Sequence, residues 1–291
     1  INELPDLQAR IQVSLFNILE EGDLQIRGFK LRLPLDVLFV FTANPEDYTN
    51  RGSIVTPLKD RIESQILTHY PKTLETALEI TEQEAAINEA QQTRVKVSDL
   101  IKRLIEQVAF EARGSELVDK KSGVSARLSI SAYENAISAA ERRALINDET
   151  ETQVWLSDLI GIIPSITGKI ELVYEGEQEG PYQVAYNLLE KAIRSQFVQY
   201  FPNPDTLKRK KLKDKETENP YKAITAWFDT GNNLNVFLDT TDEDKIQLLY
   251  SVAGLHPLVK KYFNAANEKE NALLMEFVLH GLASYSLISK K

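Results

Sequence analysis

The chain has no cysteine, so disulfide bonds and thiolate metal sites are excluded. Its three histidines, His69, His256 and His280, lie far apart and lack the spacing of metal ligands. No apolar run approaches the roughly 20 residues that a membrane-spanning helix needs, and no secretory signal opens the sequence. These absences predict a cytoplasmic protein with no membrane partner.

Charge and length set further limits. The 291 residues are enough for two or three domains, and the net charge of −9 argues against a general nucleic-acid binder. One basic run, Lys208-Arg209-Lys210-Lys211, is interpreted as a solvated loop. The sequence begins at Ile1, and its opening residues already resemble the start of an element. We therefore expect a fragment whose amino-terminal part is missing from the sequence.

The stretch Asp36–Asn44 contains five large apolar residues without alternation. Continuous Val, Leu and Phe predict a strand buried on both faces, as in a parallel sheet covered by helices. Pro45 cannot donate to a sheet ladder, so the strand should end at Asn44. This places an amide at the carboxyl end of a central strand, the edge where open α/β sheets bind ligands.

Two weaker β signals flank this stretch. Alternating residues in Asp23–Leu33, with Gly28 at the centre, predict a β-hairpin. Gln65–Tyr70, closed by Pro71, predicts a second strand.

Helical periodicity dominates from Lys72 onward. Ser98 is a predicted N-cap for Asp99–Ala112, and the Ser131–Glu134 capping box predicts a helix to about Ile146. The polar break Asn147–Thr152 is a candidate domain boundary. Further helices are predicted at Thr73–Ala90, Trp155–Ile163, Pro181–Phe201, Tyr221–Phe228, Asp242–Val252, Leu258–Phe263 and Lys269–Ser286.

The remaining signals after the break are weaker. Lys169–Tyr174 resembles a strand, and Glu175, Glu177 and Glu179 are interpreted as part of a solvated turn rather than a cation site. The aromatic residues of the last third are expected to pack a helical core, with a peptide groove left open as an alternative. These are Phe197, Tyr200, Phe201, Tyr221, Trp227 and Phe228.

Three polar residues are candidates for chemistry. Asn44 could hold a water and a phosphate oxygen, or it could be only a turn-former before proline. Arg61 could stabilise charge on a transferring phosphoryl group across a subunit boundary, or it could be a surface arginine paired with Asp60 or Glu63. Arg127 could contact phosphate from a helical region, or it could be a solvated loop arginine.

The order of these features resembles one family. A helix, a hairpin, an apolar stretch ending Thr-Ala-Asn-Pro, a Leu-Lys-Asp-Arg turn, a strand and then helices with Gly-Val-Ser-Ala-Arg resemble the carboxyl-terminal portion of an AAA+ ATPase of the magnesium-chelatase/MoxR branch. The resemblance covers about Ile1–Ile146. It implies that Asn44 is the sensor 1 residue, Arg61 the arginine finger and Arg127 the sensor 2 arginine, which binds nucleotide.

The resemblance also implies a fold. We expect an α/β remnant of a P-loop AAA+ core at residues 1–71, an all-α lid at 72–150 and a mainly helical accessory domain at 151–291. The chain should be mostly helical overall. Its parent should hydrolyse ATP in a homo-oligomeric ring, to remodel a partner protein or to insert a metal. A separate von Willebrand A-type chain is an expected partner.

One departure from the family limits the activity of this chain. The sequence has no Gly-x-x-x-x-Gly-Lys-Ser/Thr loop to cradle phosphates, and the Walker B carboxylates should lie upstream of Ile1. ATP and Mg²⁺ are therefore expected only with the missing upstream segment, and the fragment alone should be inactive. The alternative function is a non-catalytic adaptor or oligomerisation module whose helical tail binds a partner.

Overall fold

A computed structural model describes residues 1–21, 23–26, 29–32, 38–44, 53–120, 122–206, 219–265 and 267–290. Helices make up 61% of the structure and strands 4%, so the prediction of a mostly helical protein is confirmed. The chain divides into two compact units, Ile1–His69 and Tyr70–Lys291. We call them the amino-terminal unit and the carboxyl-terminal unit and describe each by itself.

The amino-terminal unit begins with a 3-10 helix at Leu4–Asp6 and helix α1 at Ala9–Glu21. The predicted hairpin is confirmed: β1 (Asp23–Ile26) pairs antiparallel with β2 (Phe29–Arg32). Its central Gly28 and its last residue Leu33 lie outside the described residues. A short helix α2 (Thr56–Lys59) follows, and its Leu58 is completely buried.

The prediction of a buried strand at Asp36–Asn44 is wrong for the part that the structure describes. Residues 38–44 belong to no assigned strand, and the side chains of Leu38 and Val40 are 88% and 63% exposed. A strand buried on both faces needs helices over it and strands beside it. In the described residues of this unit no assigned strand lies beside residues 38–44, and the side chains of Leu38 and Val40 are not covered. Asp36, Val37 and Pro45 lie outside the described residues.

The second predicted strand, Gln65–Tyr70, is also absent. Residues 62–70 carry no regular secondary structure, and adjacent Ile66 and Leu67 are 88% and 78% exposed. Neighbouring residues of an extended chain point to opposite sides, so neither side is covered.

The carboxyl-terminal unit is built from helices, with one two-residue parallel pairing of β3 (Val95–Lys96) with β4 (Thr152–Gln153). A 3-10 helix at Ser157–Ile162 precedes the middle of the unit. The α-helices in chain order are α3 (Leu74–Glu84), α4 (Glu89–Arg94), α5 (Asp99–Gly114), α6 (Arg127–Ile146), α7 (Ile163–Thr167), α8 (Tyr174–Glu179), α9 (Pro181–Tyr200), α10 (Lys222–Asp229), α11 (Asp242–Tyr250), α12 (Leu255–Tyr262) and α13 (Glu268–Ser284).

Helix α5 forms where its pattern predicts. The Ser98 side chain caps it by accepting a hydrogen bond from the Ile101 backbone N–H at 3.3 Å. Its apolar face is buried as expected, at Leu100, Ile101, Leu104, Ile105 and Val108. Helix α9 begins at Pro181, where the missing N–H costs nothing.

Helix α6 begins four residues earlier than its capping box predicts, at Arg127 instead of Ser131. The Glu134 carboxylate does not cap its own helix but accepts a hydrogen bond from the Ala86 backbone N–H at 2.9 Å. That bond gives the Ala86 N–H a partner in the break between α3 and α4. The prediction of one continuous helix over Thr73–Ala90 missed this break.

Three further local predictions are wrong. Pro164 lies in the first turn of α7 instead of stopping a helix. Glu175, Glu177 and Glu179 lie on helix α8 and not in a turn. Lys169–Tyr174 makes only isolated bridges, at Ile170 and Leu172.

Aromatic residues form the centre of the carboxyl-terminal core, as predicted for them. The Phe197 ring lies 5.4–6.1 Å from the rings of Phe201, Tyr221, Phe277 and Tyr285. Gly281 allows α13 to approach, because a Cβ there would lie 2.1 Å from Phe197 Cδ2. This core draws on residues from both sides of the polar break at 147–152. The division into core, lid and accessory domain stays a prediction.

Candidate functional site

Asn44 is exposed and ends the described segment 38–44. That segment is held by the start of the chain: the Ile1 nitrogen donates to Val40 O at 2.8 Å, and Thr42 N donates to Ile1 O at 3.0 Å. Leu4 N then donates to Thr42 O at 2.9 Å, so both segments run in the same direction. Ile1 therefore bonds to both Val40 and Thr42, which are separated by one residue. This is the hydrogen-bond pattern of a parallel bridge. Asn44 thus follows a short parallel contact, although no strand is assigned there.

Arg61 follows helix α2 and binds within its own unit. Its Nε lies 2.7 Å from Glu20 Oε1, its guanidinium carbon lies 4.9 Å from the Phe16 ring centre, and Nη1 donates to Pro57 O at 2.7 Å. The Glu20 contact is an ion pair without the geometry of a directed hydrogen bond. The expected surface partners Asp60 and Glu63 are thus replaced by a residue on α1, and 29% of the Arg61 side chain stays exposed.

Gln12 positions the chain before Arg61 and was missed by the sequence analysis. Its side chain is 1% exposed. Its Nε2 donates to Leu7 O at 2.9 Å and to Ser53 O at 3.2 Å, while its Oε1 accepts from Val55 N at 2.9 Å. One amide thereby satisfies three backbone groups that no helix or strand pairs. A glutamine on an amphipathic helix gives no local signal of this role.

Arg127 is the first residue of α6, and its side chain is exposed. Its backbone N–H donates to Ser125 Oγ at 3.2 Å. The preceding loop is tied down by bridges between Val118 and Leu172 and between Val124 and Ile170. Within the residues that the structure describes, no carboxylate pairs with the Arg127 guanidinium. Asn44 and Arg61 belong to the amino-terminal unit, and Arg127 belongs to the carboxyl-terminal unit.

A buried ionic cluster in the carboxyl-terminal unit also escaped the sequence analysis. Arg143, 2% exposed, donates to both carboxylate oxygens of Asp158 at 3.1 Å and to Asp242 Oδ1 at 2.7 Å. It also reaches Thr152 Oγ1 at 3.0 Å and Gln153 O at 2.9 Å. Burial alone would lower the pKa of Arg143, but Asp158 and Asp242 outweigh it and raise that pKa.

Asp242 is the second centre of this cluster. It also accepts from Trp155 Nε1 at 2.8 Å and from Lys269 Nζ at 2.8 Å. Burial would raise the pKa of Asp242, but the bonds from Lys269 and Trp155 and the charge of Arg143 hold it below the usual value. The charge is fully paired, which suits a structural clamp between α6 and α11.

A buried serine and lysine lie beside the cluster. Lys245 Nζ lies 2.7 Å from Ser157 Oγ, and Glu276 accepts from the backbone N–H groups of Leu156 and Ser157. Burial lowers the pKa of Lys245 and raises that of Glu276. A lysine with a lowered pKa beside a serine hydroxyl resembles a nucleophile and its base. Lys245 and Glu276 are only 1% and 4% exposed, however, so substrate has no access and the arrangement is structural.

A groove of about 550 Å³ in the carboxyl-terminal unit lies between α3, α5 and α9, with Glu75, Arg103 and Gln196 among its lining. No group of three or more carboxylates or histidines in the described residues could hold a metal ion. Among the described helices, none has the length and apolar character needed to span a bilayer.

Comparison of the chain with protein-family models, with curated proteins and with solved structures gives no significant match.

Proposed function

We propose that the chain is part of an ATP-hydrolysing AAA+ motor of the magnesium-chelatase/MoxR type. The observation that carries the proposal is the parallel contact between Ile1–Leu4 and Val40–Thr42, with Asn44 just beyond it. In such a motor two neighbouring parallel strands end at the nucleotide, one with carboxylates and the next with the sensor 1 residue. The hydrogen bonds of this unit run in the direction that the assignment requires.

In the proposed mechanism the three predicted residues act on the terminal phosphate of ATP. Asn44 orients the attacking water, because its amide both donates and accepts. Arg61 of one subunit stabilises the phosphoryl charge in the site of the next, and Arg127 contacts the γ-phosphate. Hydrolysis then changes the arrangement of the subunits and does work on a partner protein or a metal-insertion substrate.

The described residues contain no group of three or more His, Cys, Asp or Glu side chains that could hold a metal ion, so Mg²⁺ does not fit them and no step is assigned to a metal held by them. The phosphate-binding loop is likewise not in the 291 residues. ATP turnover is therefore proposed for the natural protein and not for these 291 residues by themselves.

The Glu20 ion pair does not prevent Arg61 from reaching a neighbouring subunit. A pair whose side chains are 29% and 52% exposed is worth roughly 0–1 kcal/mol. An inserted arginine that raises the rate about 10³-fold contributes roughly 4 kcal/mol to transition-state stabilisation. The gain in the assembled ring would exceed the cost of leaving Glu20.

The test is Arg61→Ala in the full natural polypeptide. We expect kcat to fall by about 10³-fold or more, with the Kd for ATP nearly unchanged. Lys59→Ala is the matched control, since Lys59 is an exposed cation at the end of α2, two residues before Arg61. Weakened ATP binding with normal turnover of bound ATP would contradict the assigned role.

A non-catalytic adaptor is the second candidate, and it is favoured by the intramolecular contacts of Arg61 with Glu20, Phe16 and Pro57. In an adaptor these contacts would be permanent. Light scattering of the full polypeptide with a non-hydrolysable ATP analogue separates the two. Nucleotide-dependent ring assembly supports the motor, and assembly indifferent to nucleotide supports the adaptor.

A further inference from the structure

Arg113, in the last turn of α5, has two buried guanidinium donors without a hydrogen-bond partner among the described residues. Its guanidinium carbon lies 4.3 Å from the centre of the Tyr70 ring and 5.2 Å from that of Phe110. Its Nε and Nη1 are out of contact with solvent and have no hydrogen-bond partner among the described residues. Two buried donors on a permanent cation are costly without an acceptor.

Other arginines that stack on rings in the described residues have a carboxylate. Arg194 lies 4.3 Å from the Tyr285 ring centre, the same distance as Arg113 from Tyr70, and Nη2 donates to Asp205 at 2.8 Å. Arg61 stacks on Phe16 and pairs with Glu20. Arg113 therefore stacks on aromatic rings as the other two arginines do, but among the described residues it lacks the carboxylate partner that they have.

The carboxylate that most influences Arg113 already has other bonds. Glu106 accepts from Thr81 Oγ1 at 2.5 Å and from Ser129 Oγ at 2.8 Å. Burial lowers the pKa of Arg113, and the neighbouring Tyr70 and Glu106 do not restore it. An exogenous oxyanion would supply the missing acceptors.

Tyr70 connects Arg113 to the loop before Arg127. The Val124 backbone N–H donates to the Tyr70 hydroxyl at 3.1 Å, and a Cβ at Gly123 (φ 73°) would lie 2.8 Å from that oxygen. Tyr70 is also 42% exposed, so part of the side chain that stacks on Arg113 faces solvent. An anion bound at Arg113 would therefore affect, through Tyr70, the loop that leads to Arg127, the predicted nucleotide contact.

We propose that Arg113 binds a phosphate oxyanion in a site formed by the end of α5, Tyr70 and the loop before α6. The choice of phosphate rests on the proposed function, in which Arg127 contacts the same nucleotide. The anion accepts a hydrogen bond from the Nε–H or the Nη1–H donor while the Tyr70 ring moves aside. Because the whole chain carries a net charge of −9, general electrostatic attraction would not bring an anion to it.

The test measures binding of tripolyphosphate and inorganic phosphate to the 291-residue chain by isothermal titration calorimetry, at matched ionic strength. We expect saturable one-to-one binding of tripolyphosphate that weakens at least tenfold in Arg113→Gln. The matched control Arg194→Gln should bind like wild type. Absence of saturable binding, or Arg113→Gln binding within twofold of wild type, would overturn the proposal.

Two further arms keep the result unambiguous. If Arg113→Gln fails to fold, the Arg113 Nε–H resonance of the wild type should shift on adding tripolyphosphate, and an unmoved resonance overturns the proposal. Glutarate distinguishes the anion class, and binding equal to that of tripolyphosphate would overturn the choice of phosphate. Tripolyphosphate binding by a protein whose full-length form lacks ATPase activity would support this site while refuting the motor.

Discussion

The two units treat the same kinds of residue differently. In the carboxyl-terminal unit, Ile105 and Leu104 are at most 1% exposed, and even the charges of Arg143 and Asp242 are buried and paired. In the amino-terminal unit, Leu38 and Ile66 are each 88% exposed on extended chain. The carboxyl-terminal unit covers Leu104 and Ile105 itself, whereas the described part of the amino-terminal unit leaves Leu38 and Ile66 uncovered.

The comparison predicts that the largest effect comes from breaking the buried cluster. Arg143→Met leaves Asp158 and Asp242 buried without their shared cation, and should lower the free energy of unfolding by about 3–5 kcal/mol. Both tryptophans, Trp155 and Trp227, lie in the carboxyl-terminal unit, so urea unfolding followed by tryptophan fluorescence reports on it. Arg142→Met, at the exposed neighbour, is the control. Equal effects of the two substitutions would refute the role of the cluster.

Acid should weaken the same cluster. Because the folded pKa of Asp242 lies below its usual value of 3.8, its stabilisation is present above that value and is lost as pH falls through the lower folded pKa. Asp242→Asn should cost about 2–3 kcal/mol at neutral pH and flatten the fall of stability below pH about 4. Unfolding curves at several pH values measure this. A variant that loses stability with acid as steeply as wild type would contradict the assignment.

A smaller effect is expected from the close approach of α13 to Phe197. Gly281→Ala forces a methyl group against the ring at the centre of the aromatic core, and should cost about 1–3 kcal/mol despite the better helix propensity of alanine. Gly114→Ala, in α5 with nothing within 4 Å of the added carbon, should be neutral or stabilising. Thermal unfolding measures both. A stabilising Gly281→Ala would show that the core is loosely packed.

The smallest effect is expected in the amino-terminal unit. Ile66→Ala should change stability by less than about 0.5 kcal/mol, whereas Leu58→Ala, at a fully buried position of the same unit, should cost about 2–5 kcal/mol. Hydrogen exchange of α1 measures the stability of this unit. A cost above about 1.5 kcal/mol for Ile66→Ala would show that this residue is covered in solution.

Local signals predicted much of the fold. Ser98 and the apolar period that follows it predicted α5, and Pro181 predicted the start of α9, because caps and periodicity act within a few residues. The failure at Asp36–Asn44 has the opposite cause. A continuous apolar run predicts burial only if other elements cover it, and that depends on chain far away in sequence.

The candidate site was predictable to a smaller extent. Arg61 stood out by its motif, but its contact with Glu20 spans 41 positions and had no local signal. Arg143 and Asp242 are 99 positions apart, and nothing near either residue predicts their pairing. Arg113 was missed because an unpaired charge is visible only when every neighbour is known. Polar contacts between residues far apart in the sequence could therefore not be predicted from the sequence.

Mixing two inactive variants of the full natural polypeptide tests the central claim most directly. Asn44→Ala subunits keep Arg61, and Arg61→Ala subunits keep Asn44, so a ring that combines them contains boundaries with both residues intact. If Arg61 completes the neighbouring site, a one-to-one mixture should regain ATP hydrolysis at about a quarter of its subunit boundaries. If the mixture hydrolyses ATP no faster than the two variants alone, Arg61 does not act across the boundary, and the motor assignment is contradicted.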